Sequence, residues 1–249
     1  MLHKNRPSVL GLLLVLALLA ATAPAGAATD HPPDLAMARL RGIQIQNTAD
    51  GRRLLRFSAI IVNIGAGAFE LTAQRSDSST STWSAQQVIF DDAGGSRAVP
   101  APVEFIYSGD GHNHWHVKDL ESYELVRSDN GVKVGTGAKR GFCFFDNYQH
   151  KLTLPGAPQN VVYSSKGCGT QASTTLKMGL SVGWGDLYSW RLPDQYIDIT
   201  GLTAGRYRLW ATADSTGWFQ EGNNANNATW ADLQIDGNKV TIIRRAPNP

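Results

Sequence analysis

Residues 53–63 read Arg-Leu-Leu-Arg-Phe-Ser-Ala-Ile-Ile-Val-Asn, an apolar run that ends at Gly65-Ala66-Gly67. A run of that length, rich in branched residues and closed by glycines, predicts a strand. Residues 69–73 predict a second short strand. Residues 88–90 and 103–107 predict two more, separated by Gly94-Gly95 and by Pro100 and Pro102. Residues 115–126 alternate in part and run up to Asp129-Asn130-Gly131, a hairpin signal. Further on, Tyr207, Leu209, Ala211 and Ala213 alternate with Arg206, Arg208, Trp210 and Thr212, which places two chemically different sets on opposite faces. Residues 240–243 close the pattern. No segment holds a 3.6-residue period for long, so the expected class is all-β, a β-sandwich with long connecting loops and little helix. There is no internal repeat. The Ser/Thr-rich residues 76–84 predict a surface loop. Residues 147–175 carry Pro155, Gly156 and Pro158 with little periodicity and predict a long excursion, of the kind that often serves function.

The N-terminus changes how charge is read. Lys4 and Arg6 precede an apolar stretch over residues 9–21, and Ala25-Gly26-Ala27-Ala28 offers small residues for cleavage. Residues 1–28 are thus expected to be a secretory signal peptide, with residues 29–249 forming one domain. The stretch is short for a membrane span and no later one is apolar enough, so stable membrane insertion is not expected. The formal charge of the whole chain is +2. That excess is Lys4 and Arg6, which leaves the mature part near neutral and gives no reason to expect a nucleic-acid partner. About 220 residues remain, enough for one all-β domain with a real core.

The chain has two cysteines, Cys143 and Cys168. In an exported protein a disulfide is the default expectation. It closes a loop of about 25 residues and contributes about 3 kcal/mol on a chain-entropy basis. Two thiols, one of them a metal ligand, are the rival reading.

Three histidines, His112, His114 and His116, fall in Gly-Asp-Gly-His-Asn-His-Trp-His, residues 109–116. Positions i, i+2 and i+4 of a strand share a face. Three neutral imidazoles there suit copper, zinc or non-haem iron. In a regular strand His112 and His116 stand about 13 Å apart, whereas three rings meeting one ion at about 2 Å each need a bend. Gly109 and Gly111 are positioned to supply it. A cupin-like metal oxygenase is an alternative, since His114, His116 and Glu121 have roughly its spacing, although that leaves His112 over.

Several further segments, taken with the histidines, resemble the lysyl oxidase family. The histidine segment followed by Leu120-Glu-Ser-Tyr-Glu-Leu-Val126 is similar to its copper-binding stretch. Residues 137–146, Gly-Ala-Lys-Arg-Gly-Phe-Cys-Phe-Phe-Asp, resemble the segment that carries its cofactor lysine. Residues 183–188, Gly-Trp-Gly-Asp-Leu-Tyr, resemble the one that carries its cofactor tyrosine. Residues 196–207 match what comes next, and Glu221-Gly-Asn-Asn-Ala-Asn-Asn227 resembles the family's ending.

The resemblance implies a secreted, copper-dependent amine oxidase with a lysine tyrosylquinone cofactor. Tyr188 is oxidised at the copper of His112, His114 and His116, and the Lys139 amine adds to the ring. The activity implied is oxidative deamination of primary amines, peptidyl lysine or small, to aldehydes. Dioxygen is the oxidant, and hydrogen peroxide and ammonia are released. A carboxylate is needed as general base, and Asp186 and Asp146 are the candidates. The resemblance also implies a calcium site at Asp34, Leu35 (through its carbonyl), Glu221, Asn223, Asn226 and Asn227. A monomer is expected.

This chain departs from the animal enzymes in ways that matter. It can form only one disulfide, its histidine segment lacks a cysteine, and its Lys139–Tyr188 interval is longer. No propeptide or scavenger-type domain is expected before the core, so collagen or elastin is not implied as substrate. A non-catalytic, copper-binding surface-interaction β-sandwich is the competing reading, and the Lys139–Tyr188 pair discriminates the two.

Overall fold

The structure is a computed structural model that describes Met1, residues 27–107 and residues 112–249. Most of the expected signal peptide therefore lies outside the described residues, as do Gly109 and Gly111. The described chain is all-β, with four antiparallel sheets and one short 3-10 turn, Ser165–Cys168.

The Arg53–Asn63 strand organises the interior. Its apolar run is buried along almost its whole length, as expected for a strand covered on both faces. It pairs with Leu35–Met37, Arg41–Asn47, Trp184–Tyr188 and Tyr196–Asp198. Register places Asp186 opposite Ile61 and Tyr188 opposite Ala59, deep in the protein.

A three-stranded sheet joins Phe105–Tyr107, Trp115–Lys118 and Gly141–Phe142. Here Ile106 faces His116, and Phe142 faces Val117. The histidine segment and the segment that follows Lys139 are thus neighbouring strands. A five-stranded sheet runs in the order Lys133–Thr136, Ser122–Arg127, Gly205–Thr212, Ala228–Asp236 and Lys239–Arg245. The fourth sheet contains Phe69–Gln74, Ser84–Asp91 and Thr175–Leu180. One continuous core links all four. A chain of rings, Phe57–Tyr123 at 4.9 Å, Tyr123–Phe142 at 6.4 Å and Phe142–Tyr188 at 5.1 Å, crosses it toward the site.

The expected single strand over residues 115–126 is two strands. Asp119 has a φ of 55°, in the left-handed region, which interrupts the extended backbone. The break sends Trp115–Lys118 and Ser122–Arg127 into different sheets. Residues 147–175 form the expected excursion. Cys143 and Cys168 are disulfide-bonded, with Cα atoms 6.0 Å apart, and tie its far end to the strand after Lys139.

Candidate metal centre

His116 lies on the Trp115–Lys118 strand and is buried, whereas His114 and His112 lie just before it and are half-buried. Asn113, between them, has a φ of 57°. Asparagine tolerates that left-handed conformation better than other non-glycine residues, and the turn folds the segment back. The ligand nitrogens of all three rings lie within 4.8 Å of one another. Nitrogens each about 2 Å from one ion stand about 4 Å apart or less, so closure by about an ångström would complete the set. Among the described residues this is the one group of three or more His, Cys, Asp or Glu placed to share an ion, and Glu121 is outside it.

Packing fixes this segment. The Tyr107 hydroxyl donates to the Asn113 carbonyl at 2.9 Å, and the Trp115 indole donates to the Thr170 carbonyl at 2.9 Å. Trp115 packs edge-on against Trp83 at 5.1 Å, with the Arg75 guanidinium 4.7 Å from each ring. Gly141 faces His116 so closely that a Cβ there would sit 2.8 Å from the His116 Cβ and 3.0 Å from its Nδ1. Gly141→Ala is accordingly expected to push the His116 ring aside. Affinity of the cluster for a metal ion should fall about tenfold or more, as when a ligand's supporting contacts are lost. Competitive chelator titration checks this, and unchanged affinity would show that the strand absorbs the methyl group.

Lys139 and Tyr188 come together. Lys139 is 3% exposed, and its Nζ lies 5.0 Å from the centre of the Tyr188 ring and 5.4 Å from that of Phe142. The Tyr188 hydroxyl accepts the Cys143 N–H at 2.8 Å and donates to the Cys143 carbonyl at 2.9 Å. Burial first, and the nearby Asp186 second, hold the phenol well above its usual pKa, so it is neutral.

Asp186 is 1% exposed. Its Oδ1 accepts from Asn147 at 2.6 Å, and its Oδ2 has no hydrogen-bond partner among the described residues. Burial drives its pKa well above the carboxylate range, against the pull of Tyr188, Asn147 and Lys139. A cleft of about 330 Å³ has His112, His114, Asp186 and Tyr188 in its lining, with Phe145 and Leu192 as apolar walls. Asp146 is placed differently. Its carboxylate accepts from the Val162, Tyr163 and Ser181 amides and the Ser181 hydroxyl, at 2.8–3.1 Å. Those bonds staple the excursion to the Leu180–Val182 region and fill the oxygens' accepting positions.

Sequence reading assigned Glu121 only to the cupin-like alternative. It is 3% exposed, neither carboxylate oxygen has a hydrogen-bond partner among the described residues, and Tyr123 turns its hydroxyl toward Gln195 at 3.4 Å. Burial raises its pKa to about 8; Asp186 adds to the shift, while Tyr123 and Lys139 oppose it. Its neighbours Lys118, Asp119 and Ser122 are polar, so the sequence carries no signal of this burial. Between the unfolded value and about 8 the folded protein holds a proton that the unfolded chain has lost, so stability declines as pH rises. The metal-free protein should therefore melt at a lower temperature at pH 8 than at pH 5. Glu121→Gln should flatten that slope, by up to several kcal/mol over the range. A slope unchanged in the variant would refute the assignment.

At the far end of the domain, Leu35 N–H donates to Glu221, Asn226 donates to Asp34 at 2.8 Å and Asn227 donates to Glu221 at 2.8 Å. The Asn226 and Asn227 side-chain oxygens are buried without hydrogen-bond partners among the described residues. Burial raises Asp34, and raises Glu221 to about 7. Asn223 stands apart, exposed, with its side-chain oxygen accepting the Ala225 N–H.

The family model described as lysyl oxidase matches residues 97–244. The chain belongs to the lysyl oxidase family. Among named relatives, lysyl oxidase homolog 3A of Danio rerio is 29% identical over 191 residues, 77% of this chain and 20% of the relative. Lysyl oxidase homolog 3 of Homo sapiens is 27% identical over the same shares. Lysyl oxidase homolog 2 of Gallus gallus is 25% identical over 81% of this chain and 21% of its own length. The chain thus spans about a fifth of the relatives it matches. The matched lysyl oxidase region holds the three histidines, Lys139, Tyr188 and residues 221–227, while the central Arg53–Asn63 strand precedes it.

Proposed function

We propose that this chain is a secreted, copper-dependent amine oxidase whose lysine tyrosylquinone is built from Lys139 and Tyr188. One observation carries the reading: a lysine nitrogen and a tyrosine ring lie 5.0 Å apart in a dry pocket, and the same tyrosine lines a cleft with two of three clustered histidines. Copper and the quinone would supply the redox and carbonyl chemistry on a primary amine, with dioxygen as oxidant. The protein supplies the rest. His112, His114 and His116 would hold the ion. Cys143 orients the Tyr188 hydroxyl through its backbone, and Phe142 packs beside both partners.

For the general base, Asp186 fits better than Asp146. It lines the cleft and keeps one oxygen without a partner, whereas Asp146 is engaged by four donors. Burial makes the Asp186 carboxylate a stronger acceptor for a substrate proton once it is ionised. The cleft's apolar walls and narrow volume suit an unbranched alkylamine, either a small amine or a protein lysine side chain. Peroxide release measured across a panel of alkylamines and lysine peptides tests this. Turnover of unbranched primary amines is expected, and its absence from copper-loaded protein would overturn the activity.

A structural calcium ion is proposed between Asp34, Glu221, Asn226 and Asn227, with the Leu35 carbonyl and Asn223 as the remaining candidates. The buried, unpartnered amide oxygens support it, since a hard cation would satisfy them. Calcium should raise the melting temperature, and Glu221→Gln should remove that response. Export is supported by the disulfide, and no helix among the described residues is long and apolar enough to cross a membrane. We propose a monomer, checked by light scattering.

A further inference from the structure

A second cleft shares no lining residue with the metal centre. It measures about 460 Å³ and lies on the outer face of the five-stranded sheet. Along Gly205–Thr212, Tyr207, Leu209 and Ala211 turn into the core, while Arg206, Arg208 and Trp210 turn outward into this cleft. Arg127 joins them from the neighbouring Ser122–Arg127 strand, and Arg244 from Lys239–Arg245, beyond Ala228–Asp236 on the other side.

Charge is unbalanced here. Asp232 is shared by Arg208, at 2.7 and 3.0 Å, and by Arg244, at 2.9 Å. Arg127 pairs with Asp129 at 2.8 Å. Arg206 pairs with no carboxylate among the described residues. Four guanidinium groups therefore face two carboxylates, in a chain whose mature part is close to neutral. Three of the guanidinium groups, those of Arg127, Arg208 and Arg244, are held by carboxylates and aromatic rings. Arg208 stacks 4.2 Å from the Trp230 ring and 5.5 Å from the Trp210 ring, and its fork is fixed by Asp232. Planar, always-charged donors fixed in this way match carboxylate and sulfate oxygens in pairs. Val126, Trp210 and Ile243 add apolar surface to the lining between them. That combination suits rings bearing regularly spaced anionic groups.

We propose that this cleft binds the uronate or sulfate groups of an acidic polysaccharide. An acidic peptide is disfavoured because the strands beneath the cleft are already paired to one another, which leaves no edge within it for an added strand. The volume fits two or three sugar units rather than a nucleic-acid duplex, which needs a longer basic stripe. The site would anchor the protein to an anionic matrix and is independent of the copper chemistry.

Calorimetric titration of the full chain tests it, with tetragalacturonate and a heparin-derived tetrasaccharide as probes. Maltotetraose, polyglutamate and duplex DNA are the comparators. Binding of the acidic tetrasaccharides alone is expected, weakening as salt rises. Arg206→Ser, and Arg127→Ser with Arg206→Ser, should each weaken it, the double variant about tenfold or more. Both variants should keep their melting temperature and their copper affinity. The proposal fails if the acidic sugars bind no better than maltotetraose, if the folded variants bind them as well as the parent, or if polyglutamate or DNA binds more tightly.

Discussion

Lys139→Arg is expected to lower peroxide production from a good amine substrate by about a thousandfold or more, which corresponds to about 4 kcal/mol of barrier. The substitution keeps a long, nitrogen-bearing side chain beside Phe142 and Tyr188. It removes the one group that can become a nucleophilic amine, because guanidinium does not lose its proton in proteins. His112, His114 and His116 lie on a neighbouring strand and loop, so copper affinity should stay within a few-fold of the parent. Loss of turnover with copper retained separates a cofactor role from a merely structural one. Lys139→Met provides the neutral control and should be equally inactive. Appreciable turnover in either variant, measured as peroxide per copper, would show that the lysine is a packed side chain only.

Replacing Cys143 and Cys168 together with serine is expected to lower stability by about 3 kcal/mol, the entropy of closing their loop in the unfolded chain. For a domain of this size that corresponds to roughly 6–12 °C in melting temperature. A second consequence is chemical. Cys143 holds the Tyr188 hydroxyl between its own amide and carbonyl, at 2.8 and 2.9 Å. The disulfide anchors that backbone to the 3-10 turn, and Ser165 of this turn lines the metal cleft. The double variant should therefore join Lys139 to Tyr188 more slowly even below its melting temperature. Differential scanning calorimetry reads the first effect and a time course of linkage in the folded protein reads the second. A stable variant that links at the parent rate would remove the disulfide from both roles.

Much of the fold was legible because burial wrote itself into simple periods. The Arg53–Asn63 run and the alternation through Tyr207, Leu209 and Ala211 predicted strands that the structure contains. The Ala228–Asp236 strand was not read. Its inward residues include the small Thr229 and Ala231, while Trp230 points outward, which inverts the usual contrast between faces. The break at Asp119 was hidden for a related reason. Leu120 and Glu121 are both buried between two sheets, and only tertiary packing decides which sheet each neighbouring strand joins.

The candidate site divides along the same line. Residue types and order pointed to three histidines, a lysine and a tyrosine, since few other chemistries use that combination. The bend was assigned to Gly109 and Gly111, which lie outside the described residues. Within the described segment, Asn113 makes a left-handed turn, a conformation glycine would have advertised and asparagine does not. Asp146 and Asp186 looked equivalent in sequence because each stands near a cofactor candidate. Hydrogen bonding separates them, by engaging both oxygens of the first and leaving one buried oxygen of the second, which lines the cleft, without a partner among the described residues. Glu121 was legible as a carboxylate but not as a buried neighbour of Lys139 and Asp186, a relation that arises across strands distant in sequence.

The most direct measurement is peptide mapping by mass spectrometry of protein loaded with copper and exposed to air, with its visible spectrum recorded in parallel. One covalently joined pair of peptides, containing Lys139 and Tyr188, is expected together with quinone absorption, and both should be absent from protein prepared without copper. Fully copper-loaded, aerated protein in which the Lys139 and Tyr188 peptides stay separate and no quinone band develops would contradict the cofactor and the amine oxidase activity with it.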